Sequence, residues 1–272
     1  DRAAPQAPAT AGAYRGMNAR RRARYVLVFV LLLGAFFAIT VLNINVGNVP
    51  IPVRKIIQII FTKTGTTTEV NIIWKIRLPR MLMAALLGGA LSLSGFMLQT
   101  FFENPIAGPF VLGISSGAKM VVALVMIFYM RQAISLSSYA LIFAAFIGSL
   151  IATGFILLVS RKIRNMAALL VAGIMIGYIC SAVTDFVITF AEDSNIVNLH
   201  NWSMGSFSGI SWDNIRVMTP VVLVSLVCVF LLSKPISAYQ LGEGYARSMG
   251  VNITAFRVVL ILLSSVLSAC VA

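Results

Sequence analysis

Charge is scarce in this chain. Only 11% of its 272 residues are Asp, Glu, Lys or Arg, against roughly 25% in an ordinary soluble domain. With 59% of residues hydrophobic, too little polar surface exists to cover a water-soluble globule. A soluble fold is excluded, and an all-α polytopic membrane protein is left. Acid is scarcer still: eight Asp and Glu stand against 21 Lys and Arg, a net charge of +13. In a soluble chain that imbalance suggests nucleic acid. Here it reads as basic residues placed at membrane–lipid interfaces to set orientation, and no nucleic-acid partner is expected. There is one histidine, His200, and three cysteines, Cys180, Cys228 and Cys270, all within apolar runs. No CxxC, paired-His or HExxH pattern is present. Neither a metal site, a disulfide framework nor a membrane-embedded hydrolase is suggested, and no catalytic residue is assigned.

Long apolar runs are what the chain has instead. Seven are long enough to cross a bilayer, which takes about 20 residues: 25–44, 80–101, 107–130, 138–160, 166–191, 214–233 and 255–272. Residues 1–24 are Ala-, Pro- and Arg-rich without an apolar stretch, so they read as a disordered basic leader and not a signal peptide. The segment Ile51–Phe61 is too short to span; its isoleucines at 56, 57, 59 and 60 suit a short helix lying at the interface.

The block Arg20, Arg21, Arg22 and Arg24 places the N-terminus in the cytoplasm. Counting spans, 102–106, 161–165 and 234–254 are then inside, and 45–79, 131–137 and 192–213 outside. Arg161, Lys162 and Arg164 agree with this orientation. The exceptions crowd into one place. Arg54, Lys55, Lys63, Lys75, Arg77 and Arg80 all lie in or beside the outer loop 45–79. Pro79 suits the first turn of a helix, so Arg77 and Arg80 are expected to flank a helix N-terminus, where the macrodipole favours anions. Either they snorkel to lipid phosphates, or they wait for an acidic partner from outside.

Several ordered motifs carry more. Arg77-Leu-Pro-Arg80 opens a Gly/Ala/Ser-rich span, followed by Gly95-Phe-Met-Leu-Gln99, Glu103-Asn-Pro-Ile-Ala-Gly-Pro109 and Leu112-Gly-Ile-Ser-Ser-Gly-Ala118. Then come Leu170-Val-Ala-Gly-Ile174, Trp202-Ser-Met-Gly-Ser206, Trp212 and Leu241-Gly-Glu-Gly-Tyr-Ala-Arg-Ser-Met-Gly-Val251. In this order and spacing, residues 25–272 resemble the permease subunit of type II ABC importers for iron–siderophores, haem or cobalamin. The family has about ten spans. This chain stops in its seventh, so a fragment of a longer permease is expected.

The resemblance implies a bacterial plasma (inner) membrane protein working by alternating access. Its partners would be a second permease copy or a paralogue, two ATP-binding subunits and an extracytoplasmic substrate-binding protein. Arg77 and Arg80 match the positions that meet acidic residues of the binding protein. Loop 234–254 matches the helix that couples to the ATPase, through Leu241, Gly242, Glu243, Ala246, Arg247 and Gly250. From the residues alone, Glu243 and Arg247 form a favourable i,i+4 pair and Gly250 suits a left-handed helix stop; an ordinary connector would look the same. The chain has no GxxxxGK[ST] loop, so it is expected to be no enzyme and to carry no cofactor, with ATP and Mg²⁺ in the partner ATPase. In span five, Ser181, Thr184, Asp185, Thr189 and Glu192 form a polar stripe. Ser181, Thr184 and Asp185 either line the path, as the resemblance implies, or satisfy one another and a partner such as Lys119. Small residues Gly88, Gly89, Ala90, Ser92, Ser94 and Gly95 are expected to let span two pack closely. An iron(III)–siderophore is the expected substrate, with cobalamin or haem as alternatives. An ion-coupled secondary transporter is the rival class; it calls for inverted repeats and broken helices, and no repeat is visible.

Overall fold

In the computed structural model, residues 11–45, 47, 49, 51–130, 138–160, 162–163, 165–191 and 193–271 are described, with backbone alone at 11–19, 130, 138 and 193–195. Glu192, Arg131, Arg161 and Arg164, on which parts of the sequence reading rest, lie outside the described residues. All regular elements among the described residues are helical, in two units divided at Met81–Leu82. Among the described residues, five helices are long and apolar enough to cross a membrane. This is a multi-pass membrane protein.

The first unit holds α1 (Ala11–Asn45), α2 (Val53–Thr62), α3 (Thr67–Asn71) and a π-helical run, Ile72–Arg77. α1 begins well before the apolar run, at Ala11, because its Ala- and Arg-rich start favours helix. The expectation of a wholly disordered leader is corrected to that extent. From Tyr25 to Leu42 its apolar side chains are exposed on every side, the surface that lipid requires. α2 is the anticipated short amphipathic helix: Ile56 and Ile59 are buried, while Ile57 and Phe61 face outward.

α4 (Leu78–Phe102) starts the second unit's spans. Helical backbone is continuous from Thr67 to Phe102, so the second span does not begin near Pro79 as expected. It begins at Thr66, which caps the helix reciprocally with Glu69. Pro79 lies inside and has no N–H to return to Lys75 O. The π run just before it, where Leu78 N–H reaches back to Ile73 O, is the wider winding that accommodates such a fault.

α4 ends on a Schellman turn. Glu103 adopts φ +49°, Asn104 N–H bonds to Gln99 O (3.1 Å), and Pro105 follows. Residues 103–113 then run without regular helix, and α5 (Ile114–Met130) starts late, with 17 residues. The reason is packing. Leu112 and Gly113 press on Gly173 and Gly177 of α7 (Met166–Ile188); a Cβ on Gly113 would stand 2.6 Å from Gly177 Cα. Gly177 is about 16 Å along α7 from its start, at 1.5 Å per residue. The turn therefore climbs into the span layer, where irregular backbone is tolerated only when enclosed by protein; Ala107, Leu112 and Gly113 are all buried.

α6 occupies Ser138–Ser160 and meets α5 at Gly117–Gly148, where a Cβ on Gly117 would lie 2.6 Å from Gly148 O. The close helix contacts are thus made by Gly113, Gly117, Gly148, Gly173 and Gly177. The small residues of α4 divide instead: Gly88, Gly89 and Gly95 have open space beside them, while Ala90 and Ser94 are buried. Ser94 Oγ meets Ser264 Oγ (2.7 Å) and Ser268 Oγ (2.8 Å) of α12 (Ile253–Ala269), a buried hydroxyl cluster that ties α4 to α12. Between α7 and α12 come α8 (Asp193–Ser203), α9 (Trp212–Leu231), α10 (Ser233–Gln240) and α11 (Glu243–Ser248).

Candidate functional site

Three basic residues in and beside loop 45–79, Lys55, Lys63 and Arg77, are put to internal use. Arg77 was expected to meet a carboxylate outside, yet it is 8% exposed. Its Nη1 donates to Ile44 O (2.6 Å) and Asn45 O (3.4 Å), and its Nη2 to Val49 O (2.6 Å). Ile44 and Asn45 are the last residues of α1, whose final carbonyls have no intrahelical donor. Arg77 is therefore a cation at a helix C-terminus, the favoured end of the macrodipole, and not at a helix N-terminus. Gly47 makes room: a Cβ there would come within 2.5 Å of Nη2. Lys55 pairs with Glu69 (2.6 Å), and Lys63 stands 4.8 Å over the Trp74 ring, whose Nε1 donates to Ile59 O (3.2 Å). Arg80 is half-buried and Lys75 exposed.

The polar stripe on α7 is narrower than the sequence suggests. Ser181, Asp185 and Thr189 are exposed on one face at i, i+4 and i+8. Thr184 turns away; it is buried and donates to Cys180 O (2.8 Å). Among the described residues the ion pairs are Lys55–Glu69, Arg216–Asp213, Arg247–Glu243 and Arg257–Glu243, so Lys119 is not the partner of Asp185. An exposed acid in the last turn of a spanning helix needs water or protein beside it, because lipid is costly.

The segment after α9 folds into α10 and α11, with Gly242 (φ +114°) between them. Gly250 adopts φ +84° and ends α11: its N–H bonds to Arg247 O and Val251 N–H to Ala246 O, both 3.1 Å, a second Schellman turn. Ala246 is fully buried against the core. Leu241, Tyr245 and Met249 remain exposed. Glu243 bridges two arginines, Arg247 at 3.1 Å through Oε1 and Arg257 at 2.9 Å through Oε2.

Tyr239, which no local pattern marked, is 1% exposed. Its ring packs on Phe256, 5.3 Å between centroids, and its hydroxyl lies 3.5 Å from Phe101 O at the end of α4. Burial raises its phenol above the ordinary value, partly offset by the Arg257 guanidinium. Gln240 Nε2 donates to Thr100 Oγ1 (3.3 Å). Trp202 packs with Leu199 against α5 and α6, whereas Phe207 is exposed. His200 is exposed, and among the described residues no three His, Cys, Asp or Glu converge.

Comparison with known proteins places this architecture. Residues 30–272 match the model of the FecCD transport family. The chain is similar to the haemin transport system permease protein of Yersinia pestis, 34% identical over 253 residues, covering 92% of this chain and 74% of that one. It is also similar to the vitamin B12 import system permease protein of Citrobacter koseri, 38% identical over 191 residues, or 70% of this chain and 56% of the relative. It thus spans little more than half the length of that relative. The fold matches a solved inward-facing metal-chelate type ABC transporter with a TM-score of 0.74 at 24% identity, over 89% of this chain and 74% of that one. The multi-span helical fold and the match across nearly the whole chain make this protein a member of the FecCD transport family.

Proposed function

We propose that this chain is the permease subunit of an ATP-driven importer in the bacterial plasma (inner) membrane, carrying an iron(III)–siderophore or a similar metal chelate inward. The observation that supports it most is the α10–α11 segment. Two short helices stand at the foot of α9 and α12, fixed on one side to Thr100, Phe101 and Phe256 and presenting Leu241, Tyr245 and Met249 on the other. That is the construction required to receive a push from a separate ATPase and pass it to spanning helices. Leu241, Gly242, Glu243, Ala246, Arg247 and Gly250 form this segment. ATP and Mg²⁺ belong to the two partner ATPase subunits.

On the outer side, Arg80 with exposed Lys75 forms the basic surface offered to an acidic substrate-binding protein, while Arg77 braces the loop beneath it. Such charges chiefly raise the association rate and fix register. Ser181 and Asp185 line the path, facing a second permease copy or paralogue across water, with Thr184 behind them. The names of the relatives, haemin and vitamin B12, share a bulky metal-centred macrocycle, which supports the chelate class. Haem is the second reading, because the haemin permease is similar over 92% of this chain.

The test is reconstitution of the full-length permease with its ATPase and binding protein in liposomes. ATP-dependent uptake of a ⁵⁵Fe-siderophore or of haem is expected, with the same ligand found on the co-purified binding protein by mass spectrometry. Uptake driven by an ion gradient without ATP would refute the reading. Within it, Arg80→Glu should weaken capture of the binding protein at low salt; undiminished capture removes Arg80 from the docking surface.

A further inference from the structure

We propose that Arg257 is a positioning residue that locks the coupling helix α11 to the foot of α12, so that movement of α11 is passed to the spanning helices and not dissipated. The inference rests on the permease reading and names a residue outside the coupling segment itself.

α11 has six residues and α10 eight. Helices this short have almost no stability of their own, so their position is set by tertiary contacts. Ala246 seats α11 against the core, and Glu243, at the start of α11, is its polar point of attachment. Its two carboxylate oxygens hold different arginines. The Arg247 pair is internal to α11 and the Arg247 side chain is 72% exposed, so it can fix nothing outside the helix. The Arg257 pair crosses to α12, and the Arg257 side chain is 25% exposed. Of the two, only the second can transmit a displacement.

Arg257 is also the residue where the neighbouring elements converge. Its Nη2 lies 2.9 Å from Glu243 Oε2 on α11 and 3.4 Å from Tyr239 OH on α10. Its Cζ is 5.9 Å from the centroid of the Phe101 ring at the end of α4. One planar cation therefore touches α4, α10 and α11 while standing on α12. Both polar contacts come from the one nitrogen Nη2, which leaves the rest of the guanidinium beside the Phe101 ring; a lysine could keep the ion pair but not the planar group next to that ring. Tyr239, buried beneath, fixes the height of the guanidinium through Phe256 and Phe101. A push on α11 reaches α12 through the Glu243–Arg257 pair, and α4 through Tyr239. Without the pair, α11 keeps its Schellman stop, its internal Arg247 bond and the apolar seat of Ala246, but no polar link holds it to α12.

The experiment uses the full-length permease with its ATPase and binding protein in liposomes, measuring chelate uptake and ATP hydrolysis together. Arg257→Met and Arg257→Glu are expected to assemble and hydrolyse ATP, with uptake per ATP reduced about tenfold, the scale of a typical coupling term. Arg257→Lys should recover part of the ratio. The exchange Glu243→Arg with Arg257→Glu should recover more than either change alone. A residue needed only for folding would lower assembly and hydrolysis along with uptake, and that pattern overturns the proposal. So does an unchanged ratio in Arg257→Met, or a charge exchange no better than its single components. A wild-type complex that hydrolyses ATP without taking up any chelate would refute the permease reading, and the lock with it; unchanged Arg257 variants in an active wild-type background refute the lock alone.

Discussion

Replacing Arg77 by methionine should destabilise loop 45–79 by releasing the end of α1. Methionine keeps much of the apolar stem and removes the guanidinium. Two strong bonds are lost, Nη1 to Ile44 O and Nη2 to Val49 O, each 2.6 Å, with the longer one to Asn45 O. A hydrogen bond from a charged donor contributes about 1.5–3 kcal/mol net, and a buried carbonyl left without a donor costs about 1–3 kcal/mol. Because these terms share atoms they do not simply add, and about 3–5 kcal/mol is the expected loss, the range seen when a buried charged partner is removed. At about 2–4 °C per kcal/mol, the melting temperature of the detergent-solubilised full-length chain should fall by about 10 °C. Lys75→Glu, at an exposed site two residues away, should stay within about 0.5 kcal/mol of wild type. The assay is thermal unfolding paired with capture of the binding protein at low salt. If Arg77→Met melts with the wild type yet loses capture, the guanidinium is serving the partner and not the C-terminus of α1, and this reasoning fails.

Other substitutions are equally definite. Gly148→Ala should destabilise by about 1–3 kcal/mol through overpacking, because its methyl would meet the backbone of Gly117. Gly154→Ala on the same helix, with nothing within 4 Å, should be neutral or stabilising by up to about 1 kcal/mol; equal melting of the two would show that the α5–α6 contact is looser than described. Glu103→Gly should raise stability by about 1 kcal/mol, since a left-handed residue at the end of α4 suits glycine better; a lower melting temperature would mean the Glu103 side chain matters more than its backbone. Ser264→Ala should cost about 1–2 kcal/mol by breaking the hydroxyl cluster with Ser94, and Ser94→Ala with Ser264→Ala together should cost less than the sum of the single changes in a double-mutant cycle.

Hydropathy located the spans well because lipid imposes one simple demand on length. The fourth, read as 138–160, is Ser138–Ser160. The third failed at its start, because an apolar run such as Ala107–Leu112 looks alike whether it is helix or a turn buried in protein. Gly108-Pro109 and Gly113 were the available signals. The start of the second was also legible, since Thr66 and Glu69 have capping-box spacing, but Pro79 is the stronger local signal for a first helical turn. Arg77 could not be read, since its partners are 28 to 33 residues away and are carbonyls, which every residue has. The same holds for Arg257, whose meaning depends on Glu243 and Phe101 arriving beside it. Gly250 was readable because a helix stop is local chemistry.

The glycine contacts around Gly113 and Gly148 have a mechanical meaning. Where backbone touches backbone there is no side chain left to change rotamer, so no soft degree of freedom separates α5 from α6 or the start of α5 from α7. These three helices must travel as one stiff piece. Any bending during a transport cycle is then displaced onto elements that keep compliance, such as α9, whose ladder is interrupted at Pro220. The strokes of such a transporter are set as much by where the chain cannot yield as by where it can.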